Sequence, residues 1–227
     1  MAKDIIGDAF AYTKDSIAGD FMKVILLLVC SFIQGITLNL VPLLNGYVYR
    51  IYSGVRPAPE IDRWGELFVQ GWKMNIVTLL YMIPAIIIAM VFGIFAIFPA
   101  AMGAFSTGDA GSILVFSEFF LGIMLTGVVI LLLTLFMTMG LVRLGKTDSI
   151  GEAFNISAIN DQISKGLGWL GYIGYWILLW IISLIFIAIL FVLMVIPLFG
   201  WILALILLPI WNIFVARFIT NIYEAGD

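Results

Sequence analysis

The side chains able to do chemistry are few and widely spaced. Among 227 residues there is no histidine, one cysteine, 14 acidic and 11 basic side chains. Without histidine the commonest general base and metal ligand is missing. The single Cys30 sits inside an apolar run, so a Cys-His or Ser-His nucleophile, a zinc centre and haem attachment are all disfavoured, and no internal disulfide can form. Cys30 reads as a small buried core residue. No phosphate-cradling Gly-x-x-x-x-Gly-Lys-Ser/Thr loop occurs. Gly166, Gly168, Gly171 and Gly174 precede or enter an apolar span and lack the strand that a dinucleotide fingerprint needs. The expectation is a noncatalytic protein with no cofactor and no metal.

Two polar positions inside apolar runs remain. Glu118 lies shortly after the start of one run; a carboxylate within a membrane is costly and marks an ion or proton site by default, whereas a position near the boundary suits an interfacial or turn-capping role. Asn39, like Asn75 and Asn212, suits hydrogen bonding between helices, typically about 0.6 to 2 kcal/mol each. Three arginines each follow a long apolar segment: Arg50 in "GYVYRIYSG", Arg143 in "MGLVRLGKT" and Arg217 in "IFVARFITN". Each is expected to anchor the inner end of a returning helix, its stem along apolar surface and its head at the interface. The sharper alternative is a ring of three arginines around an anionic headgroup or ligand.

The elements that must position these residues follow from composition. The chain is 63% hydrophobic and 11% charged, against roughly 25% charged for soluble domains, so its apolar surface belongs in a bilayer. Spanning a hydrocarbon layer of roughly 30 Å takes about 20 apolar residues as helix. Runs such as Val128 to Met137 lack the alternation of a barrel strand, which leaves all-α spans. A net charge of −3 argues against nucleic acid as a partner. The polar, acidic first twenty residues do not resemble a cleavable signal peptide, so insertion through the protein's own helices is expected.

Apolar runs cover Met22 to Leu44, Asn75 to Ala104, Ile113 to Leu141, Trp169 to Ile196 and Trp201 to about Tyr223, with Pro84 and Pro99 as kinks or an exit. Short turns at Ser106 and Pro197 join the second run to the third and the fourth to the fifth. The polar segments between runs carry apolar residues at near-helical spacing: Ile6, Phe10, Ile17 and Phe21; Ile61, Trp64 and Phe68; Ile150, Phe154, Ile159 and Ile163. Amphipathic helices lying in the interface fit them.

These polar segments share a signature, Gly7-Asp8-Ala9-Phe10, Gly65-Glu66-Leu67-Phe68 and Gly151-Glu152-Ala153-Phe154. With the three arginines as endings, one domain over residues 1–227 divides into three pseudo-repeated units of interfacial helix plus membrane hairpin. All eleven basic residues avoid the two short turns, which places those turns outside and the arginine ends inside. Residues 21–50 allow two readings. Thirty positions give about 22 Å per arm, enough for a shallow re-entrant hairpin turning near Gln34-Gly35. Alternatively one tilted helix crosses once, with the amino terminus outside. The bundle therefore has five full spans, or four spans plus a re-entrant first hairpin.

In the second run Ala85, Ala89 and Gly93 form a small-residue stripe that admits a close helix neighbour, from the same chain or a second copy. Trp169, Tyr172, Trp176, Trp201 and Tyr223 suit interfacial belts.

The Gly46-Tyr47 pair, the proline-bearing linker and Trp64-Gly65-Glu66-Leu67-Phe68-x-x-Gly71 resemble an uncharacterised, mainly archaeal family of polytopic membrane proteins, domain-of-unknown-function family four-zero-one-three. The resemblance extends more weakly to Gly151-Glu152-Ala153-Phe154 and the closing Ala216-Arg217. The linker departs from the family pattern in reading Ala58-Pro59-Glu60, where Leu-Pro precedes the acidic pair. The resemblance implies a polytopic helical membrane protein and no catalytic or transport residue. The function expected is a structural or accessory protein of the cell membrane, multi-pass, binding membrane lipids, a partner membrane protein or copies of itself. A passive transporter or channel for a small or hydrophobic solute is the alternative, since repeated units with proline-broken helices can surround a midplane site.

Overall fold

A computed structural model describes residues 4–92, 103 and 110–227, and every regular element among them is helical. In chain order these are α1 (Ile5–Ile17), α2 (Phe21–Ile36), α3 (Leu43–Tyr52), α4 (Trp64–Val91) and α5 (Ala110–Thr147). A 3-10 turn (Glu152–Phe154) then leads to α6 (Ile156–Lys165), α7 (Gly168–Met194) and α8 (Phe199–Glu224). Among the described residues, four helices are long and apolar enough to cross a bilayer: α4, the Phe119–Thr147 part of α5, α7 and α8. The chain is a helical membrane protein on that composition.

The first apolar run forms a hairpin. Neither α2, with 16 residues, nor α3, with 10, has the length of a crossing. Lys23 at the start of α2 and Arg50 near the end of α3 both reach Glu60, so the chain leaves and returns to one polar stretch. The reversal falls at 37–42, a few residues beyond Gln34-Gly35. Leu38 and Asn39 take left-handed backbone there, and Pro42 precedes α3. No single helix runs through residues 21–50; the described residues hold four helices of spanning length, or five spans if the bent pair α1–α2 counts as one.

Polar segments between the runs behave differently from one another. Asp4 caps α1 by accepting from the Gly7 N–H at 2.9 Å, Asp20 caps α2 through the Lys23 N–H at 2.9 Å, and the two helices meet at a bend of 102°. The face of α1 that packs on α8 holds Ile5, Ala9, Tyr12, Thr13 and Ser16, while Phe10 and then Phe21 point outward. The third segment forms the 3-10 turn and α6, capped by Asn155 and seated by Ile159 and Ile163. The second forms no separate helix. Nothing between Trp64 and Asn75 breaks the backbone ladder, so the polar stretch runs straight into the apolar one as α4, which continues through Pro84. Pro99 lies outside the described residues.

The chain divides into two compact parts. One, residues 1–75 with 138–227, holds α1–α3, α6–α8 and the polar starts or ends of α4 and α5. The other, residues 76–137, holds the apolar lengths of α4 and α5. Within the first part, Gly46 and Gly71 are among the glycines that allow close approaches: a methyl group on Gly46 would overlap the Leu67 carbonyl, and one on Gly71 the Pro42 carbonyl. Ala85 and Ala89 are buried within the chain, so their neighbour comes from the same molecule; Gly93 lies outside the described residues. At the last turn Leu198 is left-handed, and the Trp201 indole donates to the Met194 carbonyl at 3.1 Å.

Candidate functional site

The arginines of the three recurring stretches lie in the final two turns of α3, α5 and α8, each flanked by buried residues. Ile51, Leu144 and Phe218, one position beyond them, are fully buried. Lipid and packed side chains supply no acceptors for a guanidinium, so each must find its own. Arg50 donates to the Asp62 carboxylate at 2.7 Å, the Glu60 carbonyl at 2.9 Å and the Gln70 amide at 3.1 Å, and lies 3.8 Å from Glu66. Arg143 grips Glu152 through two nitrogens, one at 2.8 Å, and donates to the Tyr223 hydroxyl at 3.2 Å. Arg217 is 0% exposed, pairs with Asp8 at 3.1 Å and Glu224 at 3.2 Å, and lies against the Tyr12 ring at 5.0 Å. Its head is interior rather than at a surface.

These pairs extend into networks. Asp8 also takes Arg56, and Glu224 also takes Lys146, which reaches Asp227. Asp148 accepts from Lys73 and from the Tyr49 hydroxyl, while Tyr49 also meets the Leu144 carbonyl at 3.4 Å. Hydrogen bonds from Arg50 hold the Asp62 carboxyl below its usual range; those from Lys73 and Tyr49 do so for Asp148, and those from Arg143 for Glu152. Two open cavities lie among these groups. One of about 340 Å³ is lined by Asp8, Tyr12, Lys23, Arg56 and Glu60 among others, and one of about 540 Å³ by Tyr49, Arg50, Glu66, Lys73 and Asp148. Their linings mix both signs of charge, unlike the one-signed pocket that a ring of arginines around an anion requires.

A second polar cluster forms at the hairpin tip. Gln34 and Asn45 exchange two hydrogen bonds at 3.0 and 3.1 Å, Asn45 donates to the Asn75 side chain at 2.7 Å, and Asn75 donates to the Asn39 carbonyl at 3.1 Å. The Trp72 indole donates to the Leu40 carbonyl at 3.2 Å. Asn75 is where the apolar run of α4 begins, so the tip reaches only that level. Its reversed backbone, which lipid would leave unsatisfied, is partnered by α4. Asn39 thus acts mainly through its main chain. Asn212 bonds the Leu208 carbonyl of its own helix, not another helix. The Glu118 side chain lies outside the described residues, and Cys30 is buried as expected.

The carboxylate partners were the harder part to foresee. Asp8, Glu66 and Glu152 all sit in the recurring signature beside its glycine, and that recurrence is the available signal. Asp62, Asp148 and Lys23 carry none, since their partners are set by packing.

The family model described as "Protein of unknown function (DUF4013)" matches residues 29–197. No curated protein and no solved structure matches the chain. With the match covering most of its length, the chain belongs to the DUF4013 family.

Proposed function

We propose that this member of the DUF4013 family is a noncatalytic, multi-pass protein of the cell membrane, structural or accessory in role, that binds lipid, a partner membrane protein or its own copies. The observation that carries this reading is the contrast in α7: its most apolar 18-residue window has a mean hydropathy of 3.2 and is 6% buried within the chain. A surface of that kind is matched by hydrocarbon or by another apolar helix. The charged groups support the same reading, because they pair with one another and hold helix ends together rather than converging on a reacting centre. The test is native mass spectrometry of protein released from lipid nanodiscs, with retained lipid, a retained partner or a defined oligomer expected. Purified protein that carries none of these, and instead turns over a lipid or passes solute in proteoliposomes, overturns the reading.

A passive path for a small solute is the second reading, favoured by the amide cluster of Gln34, Asn39, Asn45 and Asn75 at the hairpin tip. Solute flux that falls on Asn75→Leu substitution would select it.

A further inference from the structure

The acids that hold the three arginines are not an arbitrary set. Arg50 ends the first pseudo-repeat, and its pairing with Glu66 joins it to the opening signature of the second. Arg143 ends the second and pairs with Glu152 in the opening signature of the third. Arg217 ends the third and pairs with Asp8 in the opening signature of the first. We infer that the three pseudo-repeats close into a cycle, each terminal arginine held by the opening carboxylate of the next, with Arg217–Asp8 as the lock joining last to first.

Further features repeat with the pairs. The residue after each acid, Ala9, Leu67 and Ala153, is fully buried, as is the residue after each arginine. The acids occupy equivalent places, in the first turn of α1, of α4 and of the 3-10 turn. The first two joints lie between segments that follow one another in the chain, where proximity alone would bring an arginine and an acid together. The third spans 209 positions and has no such help. It is also the most deeply buried: Arg217 is the least exposed of the three arginines, Arg56 shares Asp8, and Asn221 donates to the Ile5 carbonyl at 3.2 Å. A joint lacking a covalent connection needs added noncovalent links to do the same work. Arg50 departs from the pattern in one respect, since Asp62, just ahead of the second signature, holds it more closely than Glu66 does. The cycle goes beyond the proposed role and stands or falls separately from it, because it concerns how the chain closes and not what it binds.

A cycle can be opened at any joint. The test is a circular permutant of the full chain that begins at Ser149 and ends at Asp148, with the old termini joined by a short Gly-Ser linker. It is expected to enter membranes, elute as one species in detergent and melt within about 10 °C of the natural chain. In the natural chain, a double-mutant cycle of Asp8→Asn with Arg217→Gln is expected to show that the two changes are not additive. Asp8→Asn with Arg50→Gln, a pair from different joints, is expected to be additive. Additive behaviour of Asp8 and Arg217 overturns the closure, whatever the permutant does. A permutant that aggregates also overturns it unless the natural-chain cycle shows the matched coupling and the mismatched pair shows none.

Discussion

Helices α7 and α8 are nearly equal in length and lie next to each other in sequence, yet the most apolar window of α7 is 6% buried within the chain and that of α8 44%. Composition accounts for the difference. Helix α7 places its partnered polar groups in its first turns, where Trp169 donates to Asn160 and the Tyr172 hydroxyl meets Thr138, and beyond them it is almost wholly apolar, with Ser183 satisfied by its own Leu179 carbonyl. Helix α8 carries Arg217, Thr220 and Asn221 on its last turns, all fully buried, and among the described residues their hydrogen-bond partners come from α1 and from α8 itself. In a membrane the hydrophobic effect does not distinguish lipid from protein. Polar groups and small residues therefore choose the neighbours, and apolar length only chooses the environment.

The largest effect is expected at α8. Arg217→Met removes the buried cation shared by Asp8 and Glu224, leaving Arg56 and Lys146 as their remaining partners, and should cost about 3 kcal/mol, read as lost thermal stability in detergent. A loss below 1 kcal/mol would mean that buried charge does not hold α8. Next comes Gly46→Val, which drives a side chain into the Leu67 carbonyl; about 1 to 3 kcal/mol is expected, with Ile51→Val, nearby but free of overlap, at the low end of that range. Asn45→Ala breaks the amide cluster at the hairpin tip and should cost on the order of 1 kcal/mol.

Acid has a smaller effect with a definite sign. The folded state lowers the carboxyl pKa of Asp62, Asp148 and Glu152 relative to the unfolded chain. Their contribution is complete above the unfolded value of about 4 and is lost as pH falls through the depressed folded values. The melting temperature should thus be flat from about pH 5 to 7 and decline below about pH 4, less steeply in Asp148→Asn. The smallest effect belongs to α7: Leu184→Ile and Ile185→Leu, both outward-facing, should change stability by less than about 0.5 kcal/mol in detergent. A cost above 1 kcal/mol appearing only in lipid bilayers would show that a partner or second copy covers this face.

Much of the fold is legible in the residues. The apolar runs of α5, α7 and α8 match the helices, the Pro197 turn falls where expected, and the indoles of Trp169 and Trp201 find partners at span ends. Local signals of that kind survive because each depends on neighbours within a turn or two. Continuity of α4 was less legible, because polar composition suggested a separate element where no backbone break exists. The orientation of α1 was less legible still. The Ile6–Phe10 stripe faces outward because Ala9 and Tyr12 fit against α8, and that fit depends on a helix two hundred residues away.

By itself the sequence determined the environment: long uninterrupted apolar runs exclude water and, with no backbone partners in lipid, must be helices. It also determined which residue types recur, namely a small group of acids near segment starts and arginines near segment ends. Tertiary structure alone decided which acid meets which arginine. An ion pair between Arg217 and Asp8 spans 209 positions, and only the path of the intervening helices brings those two ends together.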